Sequence, residues 1–401
     1  MMSLLTTRVP SIAFRDFRLL TAAILANSAG MMGQIVVLGW VVLEMTDSPF
    51  WVSVALGIRF APNFLLGIVA GAVVDRVDKG RFINWMNVGL CVVAVLTGIV
   101  VLNGMSLPWI LALTFTSGVF QASFQTARQG YVNDLVGSQN VINGMAVSTV
   151  AMRSGGLVGP LAGGLITARF GGGEGFIALS SVYVVSYLLL MTVSRPRVEP
   201  NGSSVMENLR SYVVALREHP SLFKMLLLTA TVEVVGFSYM VLLPSLARDV
   251  LEVGADGLGL MTSVRAIGGI GSVLVVTVIG PSRRNGLPFM IVLHAFGAAI
   301  ILLGLAPSFL FVLVALTLVD AAAALTDVYT QGLMQLSAPE GMRGRAGGSW
   351  VFAIGTQPVG NLQVGVLASL ISVPAALVIN GVALVGVGAV SLLVFKSLRR
   401  L

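Results

Sequence analysis

Residues 82–102 read FINWMNVGLCVVAVLTGIVVL, a stretch of 21 residues without a charged side chain. An α-helix rises about 1.5 Å per residue, so about 20 residues cross the hydrocarbon core of a bilayer. Backbone polar groups in lipid must be satisfied within their own segment, which favours a helix over irregular structure. The stretch therefore predicts one transmembrane helix.

The rest of the chain repeats this pattern of long apolar runs between short polar segments. Further runs lie near 19–43, 51–74, 108–130, 140–167, 175–193, 222–247, 257–280, 287–305, 308–332, 346–371 and 373–395. A transmembrane β-barrel would need stretches of ~10 residues with alternating polarity, and none recurs here. The sequence predicts an all-α membrane protein with 12 transmembrane helices.

The composition excludes a soluble protein and the common enzyme classes. Only 10% of the 401 residues are charged and 56% are hydrophobic, whereas soluble domains carry about 25% charged residues. Phosphate-loop, zinc-protease and serine-hydrolase motifs are missing from the sequence. We therefore expect no enzyme, no cofactor and no metal site.

The basic residues indicate how the chain is oriented in the membrane. With the N-terminus in the cytoplasm, nineteen of the 24 Lys and Arg residues fall in cytoplasmic segments, and only Arg169 and Arg248 fall outside. This is a strong positive-inside bias, and it predicts that both termini are cytoplasmic. The net charge of +7 is thus a topology signal, and we expect no nucleic-acid partner.

The longest polar segment, 194–221, divides the chain into two sets of six runs. We predict an N-terminal six-helix bundle over 1–193, a cytoplasmic linker with an amphipathic helix over 194–221, and a C-terminal bundle over 222–401. Similar residues recur at matching places in the two halves. They are Arg59 and Arg265, Gln129-Gly130 and Gln331-Gly332, and Asn27 and Glu233. A transporter built from two related halves, with its binding site between them, has this pattern.

The loop after the second run resembles a signature of the major facilitator superfamily. Residues 71–81 read GAVVDRVDKGR. Gly71 permits close helix approach, Asp75 can face a helix N-terminus, and Arg76 and Arg81 hold the loop in the cytoplasm. The loop departs from the signature at Asp78, where glycine is usual, and at Gly80, where a basic residue is usual.

The fifth run resembles the antiporter motif of proton-coupled exporters in that superfamily. Residues 155–164 read GGLVGPLAGG, with Gly155, Gly159 and Gly163 at four-residue spacing and Pro160 and Gly164 between and after them. Glycines at this spacing also serve simple helix packing. The resemblance favours export over import.

A third segment resembles the subgroup that holds macrolide efflux proteins and the enterobactin exporter. Residues 339–345 read PEGMRGR and include Arg343 and Arg345. The resemblance implies a monomer in the bacterial inner membrane, with two pseudo-symmetric six-helix bundles. It also implies that the first, fourth, seventh and tenth helices line a central cavity.

Six ionisable residues lie within the apolar runs, where each costs about 2.5–3.5 kcal/mol on insertion scales. They are Arg59, Arg153, Arg265, Glu233, Asp320 and Asp327. Polar residues at helical spacing accompany them on the first and fourth runs. We therefore predict a substrate cavity formed by Asn27, Gln34, Arg59, Gln121, Gln125, Arg153 and Arg265.

Two carboxylates are candidates for the coupling proton, Glu233 and Asp320. The alternative is that each forms a permanent salt bridge with an arginine and never exchanges a proton. The arginines either bind an anionic substrate or hold a carboxylate ionised. We expect Asp327 to act as a gate or as a partner of Arg128 or Arg343. The predicted gating and loop residues are Gly71, Asp75, Arg76, Arg81, Arg128, Asp327, Arg343 and Arg345.

The sequence thus predicts a secondary transporter that works by alternating access. The leading hypothesis is a proton-coupled exporter of amphipathic small molecules such as drugs or a siderophore. The alternative within transport is a uniporter or importer of a small metabolite. A sensor or scaffold that has kept the fold without transporting anything is a further alternative. The expected partners are a small-molecule substrate, protons and the lipid bilayer.

Overall fold

The computed structural model describes residues 10–74, 77–104, 106–137, 139–193, 220–279, 286–336 and 353–394. Helices account for most of these ranges, and the described residues contain no β-strand. The predicted all-α class is confirmed. The amphipathic helix expected within 194–221 lies outside the described residues.

Six helices form the first half of the chain. They are α1 (Arg15–Thr46), α2 (Pro49–Val74), α3 (Lys79–Leu102), α4 (Leu107–Val136), α5 (Val141–Phe170) and α6 (Gly172–Met191). Short turns join them where local chemistry ends a helix. Asp78 caps α3, because its carboxylate accepts a hydrogen bond of 3.0 Å from the backbone N–H of Arg81. Gly171 has φ of 106°, which lets α6 follow α5 after a single residue.

Six longer α-helices lie among the described residues of the second half. They are α7 (Pro220–Val235), α8 (Gly254–Ile279), α9 (Gly286–Gly304), α10 (Phe309–Leu336), α11 (Gln357–Leu370) and α12 (Val373–Val394). Among the described residues of both halves, 9 helical stretches are long and apolar enough to cross a membrane. Large apolar side chains such as Leu310 and Trp109, 72% and 61% exposed, suit a lipid surrounding. The chain is a multi-pass membrane protein.

The seventh run is not the continuous helix that its composition suggests. After Val235 the chain continues as a 3₁₀ helix over Phe237–Leu242 and then, after one short turn, as a π-helix over Leu246–Val250. Gly236 and Pro244 lie at the two breaks. Glycine weakens a helix, and proline removes an N–H donor and clashes with the preceding turn. The segment is therefore irregular at membrane depth, which is tolerated where the backbone is buried in protein or lines a cavity.

Residue contacts divide the chain into two units. The first unit is Met1–Val41 with Ala61–Val205, and the second is Val42–Phe60 with Met206–Leu401. The later boundary falls within the predicted linker 194–221. The difference from the sequence-based division is the segment Val42–Phe60, which belongs to the second unit. Close packing explains this, because a Cβ on Gly365 of α11 would collide with the side chain of Ser53.

Both units use glycine contacts to pack corresponding helices. In the first unit, a Cβ on Gly163 of α5 would lie 2.7 Å from the carbonyl oxygen of Gly33 on α1. In the second, a Cβ on Gly360 of α11 would collide with the backbone of Val234 on α7. The α3–α6 and α9–α12 pairs also meet at glycines, among them Gly98 and Gly297. The second unit thus repeats the helix pairings of the first, as expected for an internal repeat.

Candidate transport site

A chain of hydrogen bonds joins four helices of the first unit. The amide of Gln121 on α4 donates to Asn27 on α1 over 3.1 Å, and Asn27 donates to Asn87 on α3 over 3.1 Å. Asn87 donates to the hydroxyl of Ser186 on α6 over 3.0 Å, and Ser186 donates to the carbonyl oxygen of Ala23 over 3.1 Å. All four polar side chains are buried. This arrangement fixes the helices to one another, and a substrate contact at Asn27 or Gln121 stays a prediction.

The other predicted cavity residues of the first unit are more weakly held. Gln34 accepts a hydrogen bond of 3.3 Å from the hydroxyl of Tyr183 on α6. Gln125 is only partly buried and approaches the sulfur of Met152 at 3.8 Å. The neighbouring Arg153 is half-buried and forms no ion pair within the described part of the chain. A guanidinium in that position retains its capacity to bind an anion.

The strongest interaction among the intramembrane charges lies in the second unit, between α8 and α10. The Nη2 atom of Arg265 lies 3.0 Å from the Oδ1 atom of Asp320, and both side chains are at most 15% exposed. The guanidinium also lies over the ring of Tyr239, 5.2 Å from its centroid. Tyr239 belongs to the irregular part of the seventh helix. The geometry is that of a salt bridge with an aromatic ring on one side, and proton carriage by Asp320 stays a prediction.

Glu233 is in a different situation. It lies on the last turn of α7 before the break and is 4% exposed. The charged group that interacts with it electrostatically is another carboxylate, Asp327 on α10. Among the ion pairs of the described residues, none includes Glu233. Burying a charge without a partner is costly, so Glu233 stays the candidate for the coupling proton.

Two further arginines of the predicted site are buried. Arg59 on α2 is 5% exposed and belongs to the second unit, and Arg128 on α4 is 6% exposed and belongs to the first. The Nε atom of Arg128 has no hydrogen-bond partner among the residues that the structure describes. The expected partnership of Asp327 with Arg128 or Arg343 stays a prediction.

The structure describes only part of the predicted gating residues. Gly71 lies within α2, whereas Asp75, Arg76, Arg343 and Arg345 lie outside the described residues. Arg81 is exposed and reaches Asp78 at 3.8 Å. The tightest contact near this loop is one that sequence reasoning missed, between Lys79 and Asp134 of α4, at 2.8 Å.

The antiporter-like segment packs directly on α1. A Cβ on Gly155 would lie 2.6 Å from the carbonyl oxygen of Leu25, and a Cβ on Gly159 would collide with the backbone of Ala29. Pro160 lies inside α5, and Gly164 is buried. The helices approach closely because no side chain separates them.

A second contact that the sequence did not predict lies in the second unit. Arg248 donates to the backbone carbonyl of Leu43 over 2.8 Å and pairs with Asp47 at 2.9 Å. Its Nε atom pairs with Asp249 at 2.6 Å. Arg248 ties the π-helical segment to the end of α1. The available signal was that Arg248 is one of only two basic residues expected outside the cytoplasm.

Known proteins resemble the chain along nearly its whole length. The family of transmembrane secretion effectors matches residues 7–399. The chain is 26% identical to the enterobactin exporter EntS of Shigella flexneri over 368 residues, which are 89% of this chain and 86% of that protein. It is 27% identical to the enterobactin exporter EntS of Escherichia coli O1:K1 over 370 residues, with the same shares.

Solved transporter structures share the fold. A POT family transporter in complex with 5-aminolevulinic acid superposes with a TM-score of 0.78 at 11% identity, covering 96% of this chain and 97% of that one. The nucleoside transporter NupG superposes with a TM-score of 0.79 at 10% identity, covering 95% and 100%. At such low identity the likeness establishes the architecture of two six-helix halves and nothing about the substrate.

Proposed function

Because the chain belongs to the transmembrane secretion effector family of the major facilitator superfamily, we propose that it is a proton-coupled exporter of amphipathic small molecules. Similarity over most of the chain to exporters of enterobactin is the observation that carries the direction of transport. A siderophore of the enterobactin kind is accordingly the first substrate to test. Import or uniport of a metabolite has no support in these similarities.

Proton coupling rests on the contrast between two carboxylates. Asp320 is held by Arg265 at 3.0 Å. An ionised Asp320 would therefore keep Arg265 as its partner throughout the transport cycle. Glu233 is buried, belongs to none of the ion pairs of the described residues, and interacts electrostatically with Asp327. A carboxylate without a cationic partner is the group that gains most from binding a proton. We assign the coupling proton to Glu233, with Asp327 as the neighbour that favours its uptake.

The substrate is expected to meet Arg153. This arginine is half-buried on α5, one residue beyond the Met152 that Gln125 approaches. Arg153 has no anionic partner in the ion pairs of the described part of the chain. An anionic or phenolate-bearing substrate would supply one. In an alternating-access cycle, the substrate site would be exposed to one side of the membrane at a time.

The test uses purified protein in liposomes with a pH-sensitive dye inside. Addition of enterobactin to liposomes with wild-type protein is expected to change the internal pH. An imposed pH gradient is expected to drive the substrate against its concentration gradient. Glu233→Gln should abolish both, because the amide carries no proton, while exchange of labelled for unlabelled substrate continues. Asp249→Asn is the matched control, since that carboxylate pairs with Arg248 away from the site, and it should behave as wild type.

Three results would contradict parts of this proposal. Wild-type protein that moves substrate without any proton flux would exclude proton coupling. A Glu233→Gln variant with unchanged proton flux would remove Glu233 as the carrier, and Asp320→Asn would then be tested in the same way. Protein that binds and moves neither enterobactin nor lipophilic drugs would exclude the exporter assignment.

A further inference from the structure

A groove of about 370 Å³ lies on the first unit between the beginning of α3 and the end of α6. None of the predicted substrate-cavity or proton-coupling residues lines it, whereas Arg81 is one of the predicted gating and loop residues. Its lining residues are Arg81, Asn84, Trp85, Val88, Tyr187 and Met191. The two helices pack along their length, and at the opposite end a Cβ on Gly98 would lie 2.6 Å from the backbone oxygen of Gly173. The groove is therefore a rigid feature of this helix pair.

The basic residue of the groove is available to a ligand. The side chain of Arg81 is 69% exposed, and among the described residues its ion-pair partner is Asp78, at 3.8 Å. The carboxylate of Asp78 is occupied with the backbone N–H of Arg81. The neighbouring Lys79 is already paired with Asp134 at 2.8 Å. Among the described residues of this region, Arg81 is thus a cation with donors left for a phosphate group.

Asn84 supplies an unsatisfied acceptor. Its side chain is buried at 6% exposure, and within the described ranges its Oδ1 atom has no hydrogen-bond partner. Buried polar atoms are nearly always paired. Because Asn84 lines the groove one turn from Arg81, a ligand there would complete its hydrogen bonding if it carried an N–H or O–H donor.

The remaining lining suits an acyl chain at the membrane interface. Trp85 is 69% exposed and Met191 is 52% exposed, so both face the lipid. Tryptophan and tyrosine prefer the headgroup level of a bilayer, and Trp85 and Tyr187 occupy the same end of the α3–α6 pair. Val88 lies one turn farther along α3. The groove therefore passes from a polar mouth to an apolar floor in the direction that a phospholipid would follow.

We propose that this groove binds one phospholipid whose headgroup carries a hydrogen-bond donor. Arg81 donates to the phosphate, and Asn84 accepts from the hydroxyl or ammonium group of the headgroup. Trp85, Val88 and Met191 contact the upper part of an acyl chain. Phosphatidylglycerol and phosphatidylethanolamine meet this requirement, and phosphatidylcholine does not because its headgroup has no donor.

The experiment titrates the purified full-length protein in detergent with each of these three lipids, all with the same acyl chains. Native mass spectrometry gives the affinity of the tightest lipid. We expect wild-type protein to bind the two donor-bearing lipids about tenfold more tightly than phosphatidylcholine. Asn84→Leu should remove that preference. Arg81→Gln should weaken all three lipids by about tenfold, and Trp85→Leu should weaken them as well.

Two matched variants keep the test specific. Arg169 is an exposed arginine of the same unit, and Trp109 is 61% exposed on α4. Arg169→Gln and Trp109→Leu should bind lipid as wild type does. Equal affinity for all three lipids, or unchanged binding by Arg81→Gln and Trp85→Leu, would overturn the proposal. Displacement of the lipid by equimolar soluble glycerophosphoglycerol would show a site for the headgroup alone and would overturn it too.

Discussion

At the scale of single residues, the polar groups inside the membrane differ in whether the protein itself satisfies them. Asn27 and Asn87 are joined by a hydrogen bond of 3.1 Å, and Asp320 is joined to Arg265 at 3.0 Å. Glu233 has a carboxylate for a neighbour instead. Removing one partner of a buried pair strands a charge, whereas neutralising a carboxylate that lacks a cation relieves one. Amide substitutions at the two acids should therefore have opposite effects on stability.

We predict that Asp320→Asn lowers the free energy of unfolding by about 3 kcal/mol, because Arg265 is left as an uncompensated charge. Glu233→Gln should leave the thermal midpoint unchanged or raise it. Thermal unfolding of the purified variants in detergent, followed by intrinsic fluorescence, measures both. The double variant with Arg265→Gln and Asp320→Asn should recover part of the loss. A midpoint for Asp320→Asn equal to that of wild type would show that the salt bridge contributes nothing.

At the scale of helices, glycine decides which pairs approach most closely. In lipid there is little hydrophobic drive for one helix to contact another, so close backbone packing and interhelical hydrogen bonds stabilise the association. Gly159 and Gly163 of α5 both lie against the backbone of α1. Gly156, on the same helix, has room for a methyl group, since its Cβ would lie at an ordinary van der Waals distance of 3.9 Å from the Cγ atom of Met32. The motif's glycines are therefore not equivalent.

Gly159→Ala is expected to separate α1 from α5 and to cost about 1–3 kcal/mol, because the added methyl group would collide with the main chain of Ala29. Gly156→Ala is the matched control, and it should be neutral or slightly stabilising because alanine favours a helix. Thermal unfolding and the yield of monodisperse protein in detergent distinguish the two variants. If both variants behave alike, the α1–α5 contact is looser than the structure has it.

At the scale of the whole molecule, two units repeat the same helix pairings and yet do not divide the chain simply in half. The segment Val42–Phe60 belongs to the second unit, where Arg248 bonds to the carbonyl oxygen of Leu43 and to Asp47. Helix α1 therefore contributes to both units.

The distribution of basic residues predicts the orientation of the whole molecule. A green fluorescent protein fused after Leu401 should fluoresce, because it would fold in the cytoplasm. Alkaline phosphatase should be active when inserted at Gly104 or at Ser308, in the turns before α4 and α10, and inactive when inserted in 194–219. The opposite result would be inactive phosphatase at Gly104 and Ser308, active phosphatase in 194–219, and no fluorescence after Leu401. It would mean that the nineteen basic residues expected inside lie outside.

The sequence by itself determined the membrane class, the number of helices and nearly all of their positions. The run at 140–167 became α5 at Val141–Phe170, and the run at 257–280 became α8 at Gly254–Ile279. These features depend on the local length of apolar sequence, because each transmembrane helix satisfies its own backbone. The break in the seventh helix was less evident, although Gly236 and Pro244 signalled it.

Only the tertiary structure decided which polar residues meet. Arg265 and Asp320 are 55 positions apart, and Asn27 and Asn87 are 60 apart. Asp134 of α4 pairs with Lys79 of α3, and Glu233 interacts electrostatically with Asp327. Helical spacing places a residue on a face, but the rotation of that face toward a particular neighbour results from packing along the whole helix. That is why the candidate carboxylates were visible in the sequence while their partners were not.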